Sequence, residues 1–222
     1  MTTLARAVWL AFATTTMTTA IAADPPAHIR GTIVSTTSDS LTVKTNEGSV
    51  SVAMDASTRI SGVVPSSASE IQPGTFVGIA NVAGTAASNA LEVVVFPDSM
   101  KGSGLGDYPW DLASQGSQGA QTSAMTNGTV KSSVNGGLAT ASAMTNGTVK
   151  SASNAGALVL TVDYGKGEKT IQVPSGVPVV GVVSADSSKL VPGAHVFVAT
   201  KKDAPKSAAF IAVGINGTVP PM

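Results

Sequence analysis

The chain has 222 residues, 43% of them hydrophobic and 12% charged, with 13 Lys+Arg against 13 Asp+Glu and no Cys. That length holds one domain or two small ones, and a compact chain of this size buries roughly 70% of the surface its unfolded form exposes. Zero formal net charge argues against nucleic acid as a partner, because nonspecific affinity for it comes from neutralising many phosphates, and the lack of Cys excludes disulfides, thiolate metal sites and thiol catalysis.

Residues 1–22 read as a signal peptide. Arg6 supplies the positive start, Ala7 to Ala13 is an unbroken apolar run, and Ala20-Ile21-Ala22 fits small-x-small cleavage, so the mature chain begins near Ala23. Thr14, Thr15 and Thr16 dilute the apolar run, which falls far short of the ~20 residues that a membrane span requires. No later segment is predicted to cross a bilayer as a helix. The expectation is an exported protein, periplasmic or extracellular, with no membrane span after cleavage.

The remainder is two copies of one β unit. Gly31-Thr32-Ile33, Leu41-Thr42-Val43, Val50-Ser51-Val52, Gly62-Val63-Val64, Pro73-Gly74 and Ala90-Leu91 recur as Gly147-Thr148-Val149, Leu160-Thr161-Val162, Ile171-Gln172-Val173, Gly181-Val182-Val183, Pro192-Gly193 and Ala209-Phe210, at offsets of 116, 119, 121, 119, 119 and 119. Each block alternates apolar and polar residues or is a short β-branched run, the pattern of a strand, and Asn46-Glu47-Gly48 and Gly165-Lys166-Gly167 supply turns. Ser67-Ala68-Ser69-Glu70 has capping-box spacing and predicts one short helical turn, followed by a turn with Pro73 second and Gly74 third; Leu190 before Pro192-Gly193 repeats the arrangement. Short strands with no long bare edges close most economically into small barrels. The predicted fold is all-β, with two tandem small β-barrels joined by a Gly/Ser-rich linker. The predicted boundaries are 1–22 for the signal peptide, 23–97 for the first barrel, 98–141 for the linker and 142–222 for the second barrel.

This order of elements, with the linker residues Phe96-Pro97-Asp98-Ser99-Met100-Lys101-Gly102 and Tyr108-Pro109-Trp110-Asp111-Leu112, resembles bacterial exported two-repeat proteins of unknown function with OB-like β-barrel domains. The resemblance covers about residues 29–222. It implies an OB-like fold and an exported location, and no activity. Some members carry metal-transport-type names, and without spanning helices such a role would be that of an accessory protein.

Lys101 to Gln121 is rich in Gly, Ser and Ala, a composition that resists regular structure. After it, the ten residues Ser123 to Ser132 recur identically as Ser142 to Ser151. The second copy runs directly into Leu158 to Val162 and is expected to be the first strand of the second barrel, which leaves the first copy as a spare strand able to satisfy the same register.

Candidate chemistry is sparse. There is no nucleophile elbow, phosphate loop, dinucleotide fingerprint or zinc-protease helix, so a non-enzymatic protein without a cofactor is expected. Tyr108 and Trp110 are an aromatic pair in a polar loop, suited either to stack on a ligand such as a sugar or to plug the linker onto a barrel. His195 corresponds to Phe76 of the first copy, which suggests a barrel-wall site, and a metal role for it is the alternative; His28 lies near Asp24 at the start of the mature chain. Asp98, Asp107 and Asp111 are of the oxygen type that hard cations take, yet they match no calcium-loop spacing. Met54, Met100, Met125, Met144 and Met222 are too scattered for a copper site. Expected partners are an unknown protein, a small molecule or a glycan. The preferred function is an exported binding or scaffold protein; the alternatives are a periplasmic metal-handling accessory, using His28, His195, Asp107 and Asp111, and a glycan-binding module.

Overall fold

The computed structural model describes residues 28–82, 87–114, 121–135 and 157–221. The signal peptide expected at 1–22 and the second copy of the duplicated segment at 142–151 lie outside the described residues.

The described residues form thirteen strands and three short 3-10 turns. The strands are β1 (His28–Thr36), β2 (Ser40–Lys44), β3 (Ser49–Ala53), β4 (Arg59–Pro65), β5 (Phe76–Val82), β6 (Ala87–Phe96), β7 (Gly106–Ser114), β8 (Gln121–Asn135), β9 (Leu158–Asp163), β10 (Glu168–Val173), β11 (Val179–Ser184), β12 (His195–Lys201) and β13 (Ala204–Gly214). The chain is therefore all-β, as its alternation predicts, and the short helical turn falls where expected, at Ala68–Glu70, with Ser67 as its cap. Its counterpart is Ser187–Lys189, capped by the Asp186 side chain. After each comes a tight turn with Pro second and Gly third: Thr75 N–H donates to Gln72 O at 3.0 Å and Ala194 N–H to Val191 O at 3.1 Å. Gly74 and Gly193 take φ of 93° and 89° there, which a side chain strongly disfavours.

Strand pairing closes two five-stranded rings. In the first, β12, β1, β2, β3 and β13 follow one another, and β13 returns to β12. Ile33, Leu41, Val43, Val52, Val196, Val198, Ile211 and Val213 fill its interior. In the second, β10, β9, β8, β5 and β6 follow one another, and β6 returns to β10 by a parallel pairing. Val77, Ile79, Val93, Val130, Leu160, Val162 and Ile171 fill this one. Between them β11 and β4 run antiparallel, with Val63 opposite Val182, β11 lying parallel to β6 and β4 parallel to β13.

The rings do not sort by halves of the chain, which differs from the expected one barrel per repeat. The first ring takes three strands from residues 28–53 and two from 195–214; the second takes two from 76–96 and three from 121–173. The local nature of strand alternation explains why this was not legible. Hairpins β5–β6 and β12–β13 both read as strands from their apolar residues, so the pattern fixes the strands and leaves the choice of partner open.

The expected linker also differs. Residues 98–141 contain β7 and β8, and β8 is a wall strand of the second ring, antiparallel to both β5 and β9. Thus the first copy of the duplicated segment, expected to be spare, does the work assigned to the second. It meets the same requirement that β1 meets: a Cβ on Gly128 would run into the Asp163 carbonyl as one on Gly31 would into that of Lys44. Among the described residues β7 pairs only with β8, an edge position of the kind that tolerates Pro109. Backbone pairing of this kind makes little demand on side chains, so a Gly/Ser-rich composition did not announce it.

Deleting residues 123–141 tests the equivalence of the copies. One intact copy remains, and in the register that places Asn135 opposite Leu158 it brings Asn154 to that position, with residues 155–157 as the turn. The positions of β8 are then filled by identical or similar residues, so its ladder pairings can be kept. The melting temperature is expected to be no lower than that of the parent, and a fall of more than about 5 °C would show that the copies are not interchangeable.

Candidate functional site

The ring interiors are packed, so the outward faces decide where a site can lie. Strands β4, β11, β12 and β13 present Val63, Val180, Val182, Phe197 and Ala212 to the seam, and β6 presents Val94. Phe96, Met100, Trp110 and Phe210 pack onto this cluster, and beside it opens a cavity of about 750 Å3. Phe96, Tyr108, Trp110, Met125, Phe197 and Phe210 are among its walls.

Tyr108 and Trp110 reach this cleft because β7 pairs with β8, Tyr108 opposite Met125 and Trp110 opposite Ser123. The Trp110 carbonyl accepts a hydrogen bond from Ser123 Oγ at 3.0 Å. The Tyr108 hydroxyl accepts one from Asn127 Nδ2 at 2.9 Å, and the same amide donates to the Gly104 carbonyl at 3.1 Å. Burial pushes the Tyr108 pKa up and keeps the phenol protonated at neutral pH. Asn127 Oδ1 then points over β5, where a Cβ on Gly78 would come within 2.6 Å of it and within 2.9 Å of the Phe96 ring. Glycine at position 78 is what lets Asn127 and Phe96 lie flat on the strand.

Behind Trp110 is a charged cluster. The β1 residues His28 and Arg30 project on its outer face, since the alternate residues Ile29 and Ile33 pack into the first ring. Arg30 donates to both oxygens of Asp111, at 2.7 and 3.1 Å, and His28 Nδ1 lies 3.1 Å from Asp111 Oδ2. The His28 and Trp110 ring centroids are 4.3 Å apart, and the Arg30 guanidinium stands 5.9 Å from the Trp110 ring and 5.2 Å from that of Phe197. Burial alone would raise the Asp111 pKa, but hydrogen bonds and charge from Arg30, with His28 adding to them, hold it below the ordinary value. Glu92, on β6, is 7% exposed. Desolvation lifts its pKa to about 7, against the pull of Arg30 and with a push from Asp111. Among the described residues, Trp110 Nε1, Asn127 Oδ1 and Glu92 Oε1 are buried without a hydrogen-bond partner.

The structure thus brings together four of the six sequence candidates, though not as one set of ligands: Tyr108 and Trp110 line the cleft, while His28 and Asp111 lean on Trp110 from behind. Asp107 turns to the second ring, accepting from Thr126 Oγ1 at 2.6 Å and from Lys169 Nζ at 3.1 Å. His195 lies on the first ring, opposite Thr32, whose Oγ1 is 3.4 Å from its Nδ1. Among the described residues no three His, Asp or Glu side chains converge. Asp111 already spends both oxygens on Arg30, and this set offers a cation no open carboxylate. Phe197, Phe210, Arg30, Asn127 and Glu92 were not singled out from the sequence. The one available signal was Glu92 itself, an acid inside the otherwise apolar Ala90-Leu91-Glu92-Val93-Val94-Val95-Phe96 run.

Comparison of the chain with protein-family models, with curated proteins and with solved structures gives no match.

The pKa of Glu92 predicts a pH dependence of stability. Its folded value, about 7, lies above the ordinary 4.5, so between these values the folded state binds more protons than the unfolded state and stability falls as pH rises. The full loss, reached above pH 7, is at most about 3 kcal/mol. Urea unfolding at pH 4.5 and 8 should show Glu92→Gln gaining on the parent by about 2–3 kcal/mol at the higher pH relative to the lower. Parallel pH profiles for the two proteins would contradict an ionisation suppressed by burial.

Proposed function

We propose that this is an exported, non-enzymatic binding protein that holds a small, largely apolar ligand in the cleft between its two β-rings, each ring a small OB-like barrel completed by a hairpin from the other half of the chain. The observation that carries this reading is the aromatic cleft itself. Its volume of about 750 Å3 is in the range of small-molecule sites, which combine mostly apolar walls with a few placed polar groups. The polar groups among the described lining residues are the Asn127 amide, the Tyr108 hydroxyl, the Arg59 guanidinium and the hydroxyls of Ser61, Ser99, Ser103 and Ser184. No helix among the described residues is long and apolar enough to cross a membrane, and the export assignment rests on the composition of residues 1–22.

The metal-handling alternative draws less support, since Arg30 occupies Asp111 and His195 and Asp107 lie on different rings. A glycan platform wants an open aromatic face, whereas Trp110 has His28 at 4.3 Å and meets Tyr108 at an interplanar angle of 67°.

The test is uptake of the neutral hydrophobic dye N-phenyl-1-naphthylamine by the full chain. Binding one to one with enhanced emission is expected, and Ser184→Trp, which adds bulk at an exposed wall position, should weaken it at least tenfold, about 1.4 kcal/mol, without lowering the melting temperature. No saturable uptake, or uptake indifferent to Ser184→Trp and to Trp110→Ala, would dismiss the cleft as the binding site. Turnover of an ester, glycoside or peptide that a single side-chain change abolishes would dismiss the non-enzymatic assignment.

A further inference from the structure

The walls of the cleft carry one further property: their charge. Among the described residues that line it, Arg59 is the only charged side chain, and no Asp or Glu is present there. It opens β4, is solvent-exposed, and sits in register opposite Phe210, another lining residue. A cation with one side in water and the other against an aromatic cavity therefore marks the mouth. Among the described residues, the other charges near the seam are paired or buried: Arg30 binds both oxygens of Asp111, Lys169 pairs with Asp107, Lys101 pairs with Asp98 beside the lining residues Pro97 and Ser99, and Glu92 lies buried on β6. Among the described residues Arg59 has neither a hydrogen bond nor an ion pair.

Resting on the binding reading above, we propose that the ligand is an anionic amphiphile, with an apolar body enclosed by Phe96, Trp110, Met125, Phe197 and Phe210 and a carboxylate-like head held by Arg59 at the mouth. The planar guanidinium suits such a head, because its parallel N–H groups meet two oxygens at once. A cationic amphiphile would bring its head to Arg59 with like charge, and a neutral one would leave the guanidinium unused. Ser61 and Ser184, adjacent lining residues paired across β4 and β11, offer hydroxyls to the same head group. Since Arg59 is exposed, its contribution is a modest preference that salt weakens, while the apolar body supplies the bulk of the affinity.

Calorimetric titration of the full chain with decanoate, decanol and decyltrimethylammonium tests this. At low salt decanoate should bind one to one and about fivefold tighter than decanol, with the cation weakest, and the preference should shrink in 1 M NaCl. Arg59→Gln should bring decanoate to the affinity of decanol and leave decanol unchanged; Arg59→Glu should invert the order of the two ions. Melting curves of both variants should match the parent, as the side chain packs into no core cluster. Equal affinities for decanoate and decanol in the parent, or a preference that survives Arg59→Gln, would overturn the anionic assignment and leave cleft binding intact. No binding of any of the three, together with no dye uptake, would overturn both.

Discussion

The antiparallel pairing of β4 with β11 is the contact on which the other features depend. With Val63 opposite Val182, and with β13 and β6 added in parallel on either side, it joins two closed rings into one continuous pairing. A small closed barrel ordinarily turns its outer face to solvent. Here the outer faces of β4, β6, β11, β12 and β13 meet and bury Val63, Val94, Val180, Val182, Phe197 and Ala212 as a third core. Each ring alone is near the size at which stability is marginal; the shared core and the exchanged hairpins make each ring's completeness depend on the other half of the chain.

The cleft follows from the same geometry. Two convex rings joined along one line leave a wedge beside the line, and β7 closes one side of it by pairing on the edge of β8. Polar ground lies behind Trp110, which lines the wedge. A hydrogen-bonded Arg30–Asp111 pair, with the His28 ring tilted against the indole at 4.3 Å, packs on the ring from the rear. Glu92 nearby is a group that burial would rather keep protonated. Such a cluster adds little net stability, since desolvation offsets much of the attraction between its charges, but it fixes the angle at which the indole meets the cavity.

The chain's own regularities made much of this legible. Alternation in Leu41-Thr42-Val43 or Leu160-Thr161-Val162 identifies strands because the side-chain period of a strand is two, and Pro-Gly after a short capped turn identifies two tight turns because φ near +90° excludes most other residues. The aromatic pair in the Gly/Ser-rich stretch pointed to the cleft. Glu92 and Arg30 did not stand out, because a single charge in a strand gives no sign of which surface it will meet. Phe197 and Phe210, too, read as ordinary strand residues until β12 and β13 were placed against β4.

By itself, then, the sequence determined the all-β class, the positions of most strands and the two capped turns, each encoded locally by periodicity or by backbone preference. Tertiary structure alone decided which meander each hairpin completes, that Ser123–Ser132 is part of a ring strand, and that Tyr108, Trp110, Asn127 and Arg59 line one cavity. The reason is that strand alternation is a local signal that leaves the choice of partner open, whereas the pairings are set by burial of both ring interiors and the seam between them together.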